Sequence, residues 1–167
     1  MTDTAPSGPR RTGWGFDAHR TNAEPPLLLG GVVVSETIGV EATSDGDVVA
    51  HAVTDALLGA CVLGDMGEWF PSDDPAFHNA DSMALLGRAV EQAARAGWVP
   101  THADVTVIAQ DVRVAPHRSG VRAAIAGRLG LAVDAVSVKA TTTDGLGWLG
   151  VGEGIAAVAV VSVGSVS

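Results

Sequence analysis

Cysteine is almost absent from this chain: Cys61 stands alone among 167 residues, so no intrachain disulfide can staple the fold. It sits in the apolar run Ala56-Leu57-Leu58-Gly59-Ala60-Cys61-Val62-Leu63 and reads as a small buried hydrophobe. Positive charge is scarce too. Ten Lys and Arg stand against nineteen Asp and Glu, a formal charge of -9, and no basic stripe is present to release counterions from a nucleic acid backbone. Nucleic acid is thereby excluded as a partner, whereas phosphate groups remain within reach of metal ions, backbone amides and a few placed cations. Long hydrophobic runs are missing: Ile155–Val161 is far shorter than the ~20 residues that span a bilayer. The opening residues carry neither a basic start nor an apolar stretch, so no secretory signal is expected. A cytoplasmic protein with no membrane partner follows. With 47% hydrophobic residues the chain can bury one core, and the expected division is a disordered N-terminal tail over 1–10 and a single domain over 11–167.

What is present concentrates near the start. In Asp17-Ala18-His19 the alternation of an extended segment puts a carboxylate and an imidazole on one side. Further on, Ser44-Asp45-Gly46-Asp47-Val48-Val49-Ala50-His51 leads into an apolar helix, and His51 can supply a third ligand. Two imidazoles and one carboxylate leave a tetrahedral divalent ion one open position, the arrangement of a catalytic rather than a structural zinc site. Around it, Asp45 and Asp47 are equally readable as turn and cap residues, and Asp55, one turn after His51, as the acceptor that orients its ring.

The apolar spacing predicts an α/β protein, an α+β sandwich in which a small mixed sheet carries its helices on one face. Strands are expected at Arg11–Phe16, at Leu27–Val34 in two pieces around Gly30-Gly31, at Asp104–Ala109, at Ala135–Thr141 and at Gly154–Val163. Helices are expected over Val48–Leu63, Ser82–Ala96 and Val121–Leu129. The Gly-, Pro- and Asp-rich stretch from Gly64 to Pro75 reads as a long irregular loop, and Gly145–Gly150 as a turn. Strands such as Val105–Ile108 are apolar or small on both faces, so the uncovered face is expected to pack on other copies of the chain.

The ordered series Gly15-Phe16-Asp17-Ala18-His19, Leu29-Gly30-Gly31-Val32, Ser44-Asp45-Gly46-Asp47, His51 through Ala60, Leu63-Gly64-Asp65-Met66-Gly67, Ile108-Ala109-Gln110 and Val138-Lys139-Ala140-Thr141-Thr142-Thr143 resembles the 2-C-methyl-D-erythritol 2,4-cyclodiphosphate synthase family. The resemblance implies a homotrimer with active sites at subunit interfaces and a lyase of non-mevalonate isoprenoid biosynthesis. That reaction closes a cyclic diphosphate from 4-diphosphocytidyl-2-C-methyl-D-erythritol 2-phosphate and releases CMP. It further implies zinc, or another divalent transition metal, on Asp17, His19 and His51, and magnesium, or manganese, on Asp144. By the same carry-over Thr142 stabilises the transition state, Asp65 and Gly67 meet the ribose, and Met66 stands among the substrate- and nucleotide-binding residues. Ala109, Arg113, Val114, Ala115, Ala140 and Thr141 surround the cytosine and its phosphates, while Ser44, Phe70, Asp74 and Trp148 stand at substrate-contact positions, Trp148 being equally a packing residue.

The chain also departs from the family. Thr43 replaces a histidine that contacts the transferring phosphates, and loss of such a donor can cost on the order of a hundredfold in rate. Asp144 replaces Glu, Arg113 a Lys preceded by Pro, Ser72 an Asp that contacts the polyol, and Val151 a phosphate-binding Arg. Beside Lys139, the threonine run 141–143 reads as a phosphate site, and Arg118, Arg122 and Arg128 as the solvated face of the third helix. Two alternatives stay open: a paralogue acting on another CDP-linked substrate, and a non-catalytic trimeric protein that binds a nucleotide or a metal.

Overall fold

Hydrophobic alternation and glycine placement organise the chain into one twisted sheet with helices on one side. The computed structural model describes residues 8–166. In order they form β1 (Arg10–Asn22), β2 (Leu27–Leu29), β3 (Val32–Ser35), β4 (Gly39–Val40), α1 (Val48–Cys61), α2 (Met66–Trp69), α3 (Ser82–Arg95), β5 (Trp98–Ile108), α4 (Arg118–Leu129), β6 (Val136–Thr141), α5 (Gly147–Gly150) and β7 (Gly154–Ser165). Among these residues, five strands make a mixed sheet in the order β4-β1-β7-β5-β6, and β2 and β3 form a separate hairpin. Only β5 and β6 run parallel, joined through α4 as a crossover requires.

The helix α1 is apolar nearly all round because it is covered nearly all round: β1, β7 and β5 lie under it and α3 lies beside it. Asp47 starts it, and Val62 caps its end in the left-handed conformation at φ 58°, so that the last helical residue, Cys61, comes two residues before the expected stop at Leu63. β1 meets α1 closely through Gly13 and Gly15. A Cβ on Gly15 would stand 2.1 Å from the Ala52 carbonyl oxygen, and one on Gly13 2.0 Å from that of Ala56. These two glycines therefore set the distance between the strand that carries Asp17 and His19 and the helix that carries His51.

The opposite face of the sheet is bare. Directly paired residues share a face, so Phe16, Val158, Thr106 and Lys139 form one row across it, and Trp14, Val160, Asp104 and Ser137 the next. Trp14 and Phe16 stack at 6.2 Å between ring centroids and remain 63% and 45% exposed.

Several boundaries differ from the sequence reading. β1 begins at Arg10, paired with Gly164, and the Pro9 carbonyl accepts from Ser165, so the expected tail ends earlier; its residues 1–7 lie outside the described residues. β5 starts six residues before Asp104, because Trp98–Pro100 pairs with the end of β7 and a bulge between Pro100 and His102 absorbs the proline. The stretch read as an irregular loop contains the one-turn helix α2, whose first turn is capped by Asp65 accepting from Glu68 N. The turn read at 145–150 likewise winds into α5.

Candidate functional site

The centre of the site is built by two elements. β1 presents Asp17 and His19 on one side of the strand, and the first turn of α1 presents His51. Asp17 Oδ2 lies 2.8 Å from His51 Nδ1 and 3.0 Å from His19 Nε2, and the two ring nitrogens are 3.3 Å apart. The three ligand atoms fall within 4.8 Å of one another, and among the described residues no other His, Cys, Asp and Glu group of three converges in this way. Burial pushes the Asp17 carboxyl up, but hydrogen bonds from His19 and His51 and their nearby charge hold it well below the usual carboxylate range. Asp17 is thus an anion at neutral pH, which suits a cation ligand.

The ring of His51 is held from its far side. Nε2 lies 2.8 Å from Ser82 Oγ and 3.1 Å from Ser44 Oγ. The acceptor expected for this task, Asp55, is engaged elsewhere: its Oδ1 accepts from Met66 N at 2.9 Å and so anchors α2 to α1. Asp47 is resolved as structure. It is fully buried and its carboxylate accepts from the N–H groups of Val49 and Ala50 at 3.1 and 3.0 Å and of Gly30 and Gly31 at 2.8 and 2.6 Å. That carboxylate welds the hairpin turn to the start of α1, and with four backbone donors in a fully buried position it is committed to structure.

A cavity of about 160 Å³ opens beside the three ligands, lined by His19, Thr43, Ser44, His51, Met66, Phe70, Ser72, Phe77 and Leu85. Besides the two histidines, five residues singled out in the sequence, Thr43, Ser44, Met66, Phe70 and Ser72, are brought here. Phe77 and Leu85 are additions the sequence did not reveal, since each sits in an ordinary apolar spacing. Phe70 and Phe77 meet edge to face at 5.5 Å, and the Arg88 guanidinium lies over both rings. Asp65 and Asp74 face their own backbone, Asp65 accepting from Glu68 N and Asp74 from Ala76 N at 2.9 Å, with Gly67 in the turn that Asp65 caps.

A second group assembles at the ends of β5 and β6. Ala109, Arg113, Val114, Ala115, Ala140, Thr141 and Thr142 line a recess of about 330 Å³ together with Val112 and Arg118. Asp144 stands beside it at φ 52°, its Oδ1 accepting from Thr142 Oγ1 at 3.2 Å, and is not among the clustered ligands. Trp148, on α5, is 45% exposed. Ala18, Ala156, Ile108 and Thr141 form one row across four strands, so this recess and the three ligands are at the same level of the sheet, separated by three strand spacings, roughly 14 Å.

Two cation readings are corrected. Lys139 is on the bare face with its ammonium 2.5 Å from both Asp104 carboxylate oxygens, so it does not serve the threonine run. Arg122 is no simple surface cation, because its Nε donates to the Val136 carbonyl at 2.6 Å and ties α4 to β6, and Arg118 lines the second recess. A wider groove of about 750 Å³ between the Gly30-Gly31 turn, α3 and α4 involves none of the residues picked from the sequence as ligands or substrate contacts.

The model of the YgbB family matches residues 10–164. The 2-C-methyl-D-erythritol 2,4-cyclodiphosphate synthase of Halorhodospira halophila is 52% identical over 156 residues, which cover 93% of this chain and 96% of that protein. Among solved structures, the bifunctional IspDF from Campylobacter jejuni superposes with a TM-score of 0.92 at 42% identity; the match covers 96% of this chain but 43% of that longer one. An IspF from Plasmodium falciparum, solved as a CDP complex, superposes with a TM-score of 0.83 at 27% identity, covering 98% of this chain and 100% of that one.

Proposed function

The chain belongs to the YgbB family, in which its relatives are 2-C-methyl-D-erythritol 2,4-cyclodiphosphate synthases, and from that membership we propose the reaction, the ligands and the assembly. The protein is a lyase that converts 4-diphosphocytidyl-2-C-methyl-D-erythritol 2-phosphate to 2-C-methyl-D-erythritol 2,4-cyclodiphosphate and CMP. An oxygen of the 2-phosphate attacks the β-phosphorus of the same molecule, the bond from that phosphorus to the CMP oxygen breaks, and CMP leaves with the electron pair. The nucleophile arrives on the substrate, so the protein's work is positioning and charge neutralisation.

The single observation that carries this reading is the convergence of Asp17, His19 and His51 beside a small cavity that the two histidines line. Their donor set fits zinc or another divalent transition ion with one position open, and a bound ion there would polarise a phosphoryl oxygen as a Lewis acid. Asp144 is assigned the second ion, magnesium or manganese, in company with the substrate's own phosphates. Thr43 and Ser44 offer hydroxyls to the phosphates beside the triad, and Phe70 gives the polyol carbons an apolar wall, with Asp74 at the edge of the same loop. Asp65 and Gly67 are assigned to the ribose, and Met66 stands with the substrate-binding residues. Ala109, Val114, Ala115, Ala140 and Thr141 make the cytosine recess, Arg113 and Thr142 provide its donors to phosphate, and Trp148 closes the strand end.

Within one chain, two strands lie between the ligand triad and this recess. A homotrimer in which the recess of one copy faces the triad of the next brings the two together, and it also covers Trp14 and Phe16 on the bare face. On this reading residues 11–167 act as one cytoplasmic domain. Among the described residues no helix is long and apolar enough to cross a membrane.

Incubation with the diphosphocytidyl substrate, zinc and magnesium, followed by phosphorus NMR and chromatography, is expected to show CMP and the cyclic diphosphate in equal amounts. The Asp17→Ala variant is expected to lose at least about a hundredfold in rate. Absence of CMP from protein shown to hold both metals would overturn the reading. Light scattering checks the assembly, which should weigh about three times 16.8 kDa. A second reading, preference for another CDP-linked alcohol, is favoured by Thr43 and Ser72, both lining the cavity; a substrate panel decides it, and preference for the methylerythritol compound removes it.

A further inference from the structure

His51 touches the ligand cluster with one ring nitrogen and two seryl hydroxyls, the buried Ser82 and the half-buried Ser44, with the other. Ser82, the first residue of α3, is fully buried, and its Oγ lies 2.8 Å from His51 Nε2. Ser82 is held in turn by Asp45: the Ser82 hydroxyl donates to Asp45 Oδ1, and Ser82 N donates to Asp45 Oδ2 at 3.0 Å. Asp45 is itself fixed, accepting from Asp47 N at 3.2 Å while its own N–H donates to the Ala80 carbonyl at 3.1 Å.

A carboxylate only accepts, so the single hydroxyl proton of Ser82 goes to Asp45 and its oxygen is left as an acceptor toward His51. An N–H on His51 Nε2 therefore has a partner in Ser82, and Nδ1, 2.8 Å from Asp17 Oδ2 and 3.3 Å from His19 Nε2, is the ring nitrogen turned to the ligand cluster.

We propose that Ser82, oriented by Asp45, is a positioning residue that fixes the tautomer and the ring angle of His51, so that Nδ1 and not Nε2 is the metal ligand. This rests on the assignment of Asp17, His19 and His51 as a metal site. Imidazole ligands commonly donate their second N–H to a carboxylate or carbonyl. Here the partner is a hydroxyl polarised by a carboxylate, contributed by a different helix, which makes the seating of α3 on α1 a condition for metal affinity. Ser44 Oγ, 3.1 Å from the same nitrogen, remains as a reserve acceptor and keeps the loss partial.

The test uses zinc as the probe, with affinities from competition against a chromophoric chelator. Wild type is expected to bind zinc and Asp17→Ala to lose it. Ser82→Ala is expected to bind about 10- to 100-fold more weakly while its metal-free melting temperature stays close to wild type, and Ser82→Thr, which keeps the hydroxyl, to stay within about threefold of wild type. In the zinc-loaded wild type, nitrogen NMR should show the His51 proton on Nε2 and the metal on Nδ1. Equal zinc affinity of Ser82→Ala and wild type, or zinc found on Nε2, would overturn this proposal and leave the metal site standing. Failure of the wild type itself to bind zinc would overturn both. Should Ser82→Ala not fold, the wild-type NMR measurement alone decides.

Discussion

Substituting Gly15 by alanine should dismantle the metal cluster without touching any of its ligands. A Cβ at that position would meet the Ala52 carbonyl oxygen at 2.1 Å, where ordinary contact begins at 3.4 Å, so strand and helix must part by about 1.3 Å. The obstacle is backbone, and backbone cannot rotate away as a long side chain can. Because β1 carries Asp17 and α1 carries His51, the same movement stretches their 2.8 Å approach toward about 4 Å, against a tolerance of about 0.2 Å for metal–ligand distances. Zinc affinity should fall by at least about a hundredfold. Overpacking of this kind costs about 3 kcal/mol or more, a drop in Tm of roughly 6–12 °C for a chain of this size. The assay pairs chelator competition with a thermal melt, and Gly59→Ala is the control. Gly59 lies in the same helix with nothing within 4 Å of its would-be Cβ, so the alanine should stabilise by about 0.5–1 kcal/mol and leave zinc binding unchanged. A Gly15→Ala protein that melts with wild type and binds zinc as tightly would refute the claim that these glycines set the site's geometry.

Other outcomes follow from the same structure. Asp47→Ala removes a cap and strands four N–H groups, three of them buried, so denaturant titration should report a loss of roughly 2–5 kcal/mol with the hairpin turn losing hydrogen-exchange protection first. In the metal-free protein the depressed Asp17 carboxyl means stability present above the ordinary carboxylate pKa near 3.8 and lost as pH falls through the lower folded value, which an acid titration of the circular dichroism signal would follow. Cys61, 4% exposed and with its thiol pushed up by burial to about 11, should resist a disulfide reagent near pH 8 until denaturant is added.

The amino-acid sequence alone was sufficient for what depends on local chemistry. The period-2 spacing of Asp17 and His19 put two candidate metal ligands on one side of a strand, Asp47 announced the start of α1, and Gly30-Gly31 announced the hairpin turn. These are short-range effects of backbone geometry, and any fold that keeps the segments keeps them. Tertiary structure decided the rest. Whether Asp55 or Ser82 holds His51 depends on where α3 lands, thirty-one residues further along the chain, and Ser82 looked like nothing more than the first residue of a helix. Lys139 seemed to belong with the threonines that follow it until strand pairing set it opposite Thr106 and beside Asp104, on the other face of the sheet. Even the role of Gly15 is invisible in one dimension, because a close approach exists only between two elements, and the sequence names just one of them at a time.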